Sequence, residues 1–154
     1  MLNSCENSNP KFDLLGPSAK IRTGSSQVHG MGIFSKEAIK KGELIEEARL
    51  LPIKWRSYYV TEPTTLDYIW ANNKCQCEIC KKHGYRIYVA LGYGSLYNHA
   101  NIPNTVQKLD FVAETMTIIA KIDIPANEEI FVSYGENYWL YRNLMKKVSP
   151  LKYT

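Results

Sequence analysis

From Ala19 the chain reads AKIRTGSSQVHGMGIFSKEAIKKGELIEEARLLPI, short apolar bursts separated by glycine turns at Gly24, Gly30-Met31-Gly32 and Lys41-Gly42. Bursts this short and closely spaced predict strands, with Ile33-Phe34 and Leu44-Ile45 as strand cores. Thr105 to Lys121 alternates apolar and polar residues and predicts a hairpin with its turn near Glu114-Thr115. Helical spacing occurs twice. Pro63 and Thr64-Thr65 can open a short helix carrying Leu66, Ile69 and Trp70, and Leu140 to Val148 reads as an amphipathic helix stopped by Ser149-Pro150. Met1 to about Ser18 is rich in Asn, Ser and Pro and predicts a loose arm. The pattern implies a mostly β fold with short helices, built on a small curled antiparallel sheet. Its parts are a flexible arm at 1–18, a domain at 19–140 and a C-terminal helix and tail at 141–154.

Length and composition narrow the class. With 154 residues the chain has room for one domain with a real core, and 45% hydrophobic with 22% charged residues is ordinary for a folded soluble protein. No apolar run approaches the ~18 residues of a membrane helix, and MLNSCENSNP is too polar for a secretory signal, so a soluble intracellular location is expected. The net charge of +4 is spread out, apart from Lys40-Lys41, Lys81-Lys82 and Lys146-Lys147. Such pairs read as solvated surface, and direct nucleic-acid binding is not expected.

Chemistry concentrates in four stretches. Leu91 to Asn104, LGYGSLYNHANIPN, has glycines two apart at Gly92 and Gly94, an amide beside an imidazole at Asn98-His99, and Pro103 before Asn104. Glu128 to Trp139, EEIFVSYGENYW, ends an apolar run on Tyr134-Gly135, so a phenol stands where a strand gives way to a turn. His29-Gly30-Met31-Gly32-Ile33-Phe34 is either a plain hairpin turn or a glycine loop whose backbone faces a ligand. Cys75, Cys77, Cys80 and His83 offer three thiolates and an imidazole within nine residues. That set suits one tetrahedral structural zinc ion, with a reduced metal-free loop as the alternative.

Together, the glycine loop at His29–Phe34, Asn98-His99 with Pro103-Asn104, and Glu128-Glu129-Ile130 leading into Tyr134-Gly135 resemble the signature of SET-domain protein-lysine methyltransferases. The elements occur in family order from about Lys20 to Trp139. The resemblance implies small curled sheets closed by a C-terminal pseudoknot, with an insert at about 54–90 that contains the Cys-rich loop. It implies S-adenosylmethionine as methyl donor and, as substrate, a lysine on a basic protein such as a histone or ribosomal protein. The family's usual cysteine-rich zinc tail is absent, since Ala100 follows His99 and no cysteine follows Cys80. A catalytically silent SET module that binds a peptide is the alternative function, and a zinc-organised interaction module is a third.

Carried over by resemblance, Tyr134 supplies the hydroxyl at the reaction centre, with Tyr68 and Tyr93 as further channel tyrosines. With 11 tyrosines in the chain, a core role for these two is the alternative. His29, Gly30, Met31 and Gly32 would contact the donor through the backbone. Asn98 and His99 would hold its amino-acid end, His99 also locking two segments together, and Tyr138 or Trp139 would cover the adenine. Val132, two residues before Tyr134, is smaller than the aromatic gate of many relatives, so di- or trimethyl-lysine is the expected product unless Tyr68 or Tyr97 fills that space. The minimal architecture is that of viral and bacterial members, some of which pair as homodimers. Its place would be the cytoplasm if bacterial, and the host nucleus or chromatin if viral or a secreted effector.

Overall fold

Period-two burial runs along the strands of the computed structural model, which describes residues 16–53, 67–71, 78, 87–136 and 138–139. Nine strands are found among them: β1 (Ile21–Ser25), β2 (Met31–Ser35), β3 (Leu44–Ile53), β4 (Ile69–Ala71), β5 (Ile87–Ala90), β6 (Asn98–His99), β7 (Thr105–Asp110), β8 (Thr115–Ala120) and β9 (Glu129–Val132). Met116, Ile118 and Ala120 of β8 and Ile130 and Val132 of β9 point inward. With Ile33, Ile45, Leu50 and Tyr97 they form one apolar core. The strand cores at Ile33-Phe34 and Leu44-Ile45 fall in β2 and β3, and the expected hairpin is β7–β8. Its turn is held by Asp110 Oδ1, which accepts the Val112 and Ala113 N–H groups at 2.9 Å each, and by Glu114 at φ 54°.

Five strands form one sheet in the order β4-β5-β3-β8-β7, and four form a second in the order β1-β2-β9-β6. The expected helix through Ile69 and Trp70 is a correction: these residues are on β4, with Ile69 opposite Val89 and Trp70 opposite Tyr88 of β5. A β-branched and an aromatic side chain gain more from cross-strand packing there than from helical spacing. Residues 63–66, where that helix would start, lie outside the described residues, as does the expected helix at 140–148. At the N-terminal end the chain is already paired before β1, with Ser18 N–H bonded to Ile45 O at 2.8 Å and Glu47 N–H to Gly16 O at 3.2 Å.

The second sheet positions the site. β9 lies between β2, antiparallel to it, and β6, which runs parallel with Asn98 opposite Phe131 and His99 opposite Val132. Asn104 secures β9 with both ends of its amide: Nδ2 donates to Glu129 O and Oδ1 accepts from Phe131 N, each at 2.8 Å. Thr105 Oγ1 donates to Phe131 O at 2.6 Å, and the Gln107 amide bonds Ser133 O. β9 is thus set between two strands from earlier in the chain, which brings Tyr134 beside Asn98-His99.

Candidate active site

The loop joining β1 to β2 closes through Ser26 N–H, which donates to Gly30 O at 2.9 Å. Gly30 has φ 50°, a conformation that favours glycine. Asn98 comes up beneath this loop from β6, and its Nδ2 donates to His29 O at 3.1 Å, Met31 O at 3.2 Å and Glu129 Oε1 at 2.9 Å. Those three acceptors fix the amide's orientation. Asn98 is only 5% exposed, and its Oδ1 accepts no hydrogen bond among the described residues. A buried carbonyl oxygen left this way is open to a ligand's N–H donor.

Tyr134 follows β9, and its hydroxyl donates to Tyr97 O at 2.8 Å while its backbone N–H donates to His99 Nδ1 at 3.1 Å. The second bond requires Nδ1 to be unprotonated, so the proton sits on Nε2, which faces Asn101 Oδ1 at 3.2 Å. His99 therefore ties the end of β9 to the β6–β7 connection. Burial, followed by the electrostatic influence of the nearby Tyr68 and Glu129 side chains, pushes the Tyr134 phenol up to about 12. Beneath it, the Tyr97 hydroxyl donates to Glu46 Oε2 at 2.7 Å, and Tyr93 N–H donates to Glu46 Oε1 at 2.8 Å. Glu46 is 1% exposed, and this burial raises its pKa against the opposing pull of the Tyr97, Tyr93 and Gly94 hydrogen bonds.

A SET-domain family model matches residues 30–135, which takes in Gly30 to Phe34 of the glycine loop, Asn98-His99 and Tyr134-Gly135. The chain belongs to the SET-domain family. A curated relative from Schizosaccharomyces pombe, a histone-lysine N-methyltransferase specific for H3 lysine-37, is 29% identical over 114 residues, covering 71% of this chain and 69% of its own. The crystal structure of a Plasmodium falciparum protein described as a histone methyltransferase superposes with a TM-score of 0.57 at 32% identity, covering 76% of this chain and 98% of its own.

Around Tyr134 this SET domain gathers aromatic rings from distant parts of the sequence. Trp70 meets it edge-on with centroids 6.3 Å apart, and Tyr138 and His99 lie 4.6 Å and 5.3 Å away. Trp139 reaches His99 at 5.7 Å and keeps an exposed face. Tyr68, 40% exposed, is near enough to act on the Tyr134 phenol. Tyr93 packs against the core, and what it contributes to the loop is its backbone N–H. Tyr97 and Val132, expected along the substrate channel, are 1% and 0% exposed. Tyr97 turns its hydroxyl to Glu46 and presents only its carbonyl to Tyr134, while Val132 faces the core, where a larger side chain would overpack.

Trp70 and Glu46 were not legible as site residues. Its sequence neighbours give Trp70 helical spacing, whereas the structure puts it on β4. Glu46 belongs to none of the motifs, and a register shift between Leu44 and Glu46 turns both Ile45 and Glu46 inward. Cys75, Cys77, Cys80 and His83 lie outside the described residues. Among the described residues no group of three or more His, Cys, Asp or Glu side chains is arranged to hold a metal.

Proposed function

We propose that this SET domain is an S-adenosylmethionine-dependent protein-lysine N-methyltransferase acting on a basic protein such as a histone or ribosomal protein. One observation carries the reading: the Tyr134 hydroxyl, fixed on Tyr97 O, stands in an aromatic cluster directly beside Asn98-His99. Family membership and the similarity to a histone-lysine methyltransferase support the same class.

S-adenosylmethionine, when bound, supplies an electrophilic methyl group carried on a positively charged sulfur. The residues present fit it. The buried Asn98 Oδ1 would accept from the ammonium of its amino-acid end, the backbone of His29 to Gly32 would line it, and Tyr138 or Trp139 would cover the adenine.

A free lysine, with pKa ~10.4, is protonated near neutral pH and has no lone pair to offer. Trp70, Tyr134 and Tyr138 strip water from an entering side chain, which disfavours the ammonium and releases its proton to solvent. Because the Tyr134 hydrogen is committed to Tyr97 O, its oxygen lone pairs are left to accept an amine N–H and aim the nitrogen. The phenol stays protonated, so Tyr134 orients the amine and is not a base. Alignment is then the main source of rate.

Purified protein with radiolabelled S-adenosylmethionine and recombinant histones or ribosomal proteins tests the reading. Label on a lysine is expected with the wild type, and little with Tyr134→Phe. Donor binding without label would point instead to a silent peptide-binding SET module. Sedimentation with and without a substrate peptide checks the homodimer suggested by minimal members of the family.

A further inference from the structure

Ser26 belongs to none of the three motifs, yet it organises the glycine loop. Its Oγ accepts from Val28 N–H at 2.9 Å and His29 N–H at 3.4 Å, and it donates to Glu129 Oε2 at 2.9 Å. With both lone pairs facing backbone donors, the hydroxyl hydrogen is left for the carboxylate. The other oxygen, Glu129 Oε1, accepts from Asn98 Nδ2, whose amide also reaches His29 O and Met31 O. One carboxylate on β9 therefore holds the loop's N–H groups through Ser26 and its carbonyls through Asn98.

The same carboxylate explains Gly32. A Cβ at this position would collide with Glu129 Oε1 and press on Asn98 Nδ2 at 3.1 Å. Gly32 leaves a seat for an internal side chain, whereas the neighbouring acid on the chain, Glu128, is exposed.

We propose that Glu129 and Ser26 are a positioning pair for the methyl donor: they hold residues 26–32 in the donor-binding shape and tie that shape to the strand that carries Tyr134. The inference rests on the reading of this protein as S-adenosylmethionine-dependent. A loop tied at both its donors and its acceptors loses less freedom when a ligand arrives, so removing the tie weakens binding beyond any effect on folding.

The test is calorimetric titration of S-adenosylmethionine into the wild type, Ser26→Ala, Ser26→Thr and Glu129→Gln, with the donor-free Tm of each. Ser26→Ala is expected to weaken binding roughly tenfold, the loss of about one hydrogen bond. Ser26→Thr, which keeps the hydroxyl, restores it. Glu129→Gln weakens binding at least as much, because its new N–H donors face either an Oγ already accepting twice or the Asn98 amide hydrogens. Should Glu129→Gln fail to fold, the two Ser26 variants decide. A wild type that binds, with Ser26→Ala and Glu129→Gln binding equally well at a lowered Tm, overturns the positioning role and leaves the donor assignment standing. A wild type that does not bind the donor overturns both.

Discussion

Tyr97→Phe removes one oxygen atom from a sealed part of the core, and its effect follows from what that oxygen serves. The hydroxyl donates to Glu46 Oε2 at 2.7 Å, and neither residue is more than 1% exposed, so no water replaces it. A hydrogen bond to a charged group, lost where the acceptor cannot be resolvated, costs about 2 kcal/mol. For a chain of this size the Tm should fall by roughly 4–8 °C.

The loss should also depend on pH. Burial raises the Glu46 pKa in the folded state above its ordinary 4.5, so the folded chain binds the proton more tightly than the unfolded one. That contribution to stability is fully present below the unfolded pKa and is lost as pH rises through the folded value. The Tyr97 hydroxyl favours the carboxylate, so Tyr97→Phe raises the folded pKa further. Its deficit is therefore largest above that pKa and shrinks on acidification towards the ordinary value. Differential scanning calorimetry of both proteins across the mildly acidic range measures this directly. An unchanged Tm near neutral pH, or a deficit that grows on acidification, would show that the Tyr97 hydroxyl does not stabilise the Glu46 carboxylate.

Asn98→Ala should weaken S-adenosylmethionine binding roughly tenfold to a hundredfold, as a buried amide interaction of about 1–3 kcal/mol would, and it should also lower the Tm because three internal acceptors lose their donor; calorimetric titration with a melting curve reads both. The turnover rate should rise with pH as the substrate amine deprotonates, with no inflection from Tyr134 until about 12. Since the folded Tyr134 pKa lies above its ordinary 10.0, its contribution to stability is present below pH 10.0 and lost towards about 12, and Tyr134→Phe should flatten that alkaline loss in thermal melts. For the Cys75, Cys77, Cys80 and His83 cluster, elemental analysis of protein purified without added metal should find about one zinc per chain, and chelation should lower the Tm.

The alternation in TMTIIA and EIFV was enough to place β8 and β9, because one face of each strand is buried and periodicity of two follows directly. The same rule fails where the sheet departs from regularity. The shift between Leu44 and Glu46 turns both Ile45 and Glu46 inward, so alternation counted from Ile45 leaves this glutamate in solvent, and its partner hydroxyl on Tyr97 is 51 residues away. Ile69 and Trp70 carry both helical and extended patterns, and their pairing with Val89 and Tyr88 of β5 decides between them. At the site, Asn98-His99 and Tyr134-Gly135 were legible as a family motif, but their contact depends on β9 lying between β2 and β6. That is a long-range order local spacing does not encode. The glycine loop was legible as glycines, and only the Glu129 side chain shows what the second one admits.

We propose that Tyr134 and the residues around it move a methyl group onto a lysine amine. Peptide mapping by mass spectrometry of a histone incubated with S-adenosylmethionine and this protein tests it most directly, with Tyr134→Phe run alongside. One or more added methyl groups are expected on a lysine side chain with the wild type, and a loss on the order of a hundredfold or more in the variant while it remains folded. Equal methylation by the wild type and Tyr134→Phe would contradict it, as would methyl groups found on a residue other than lysine.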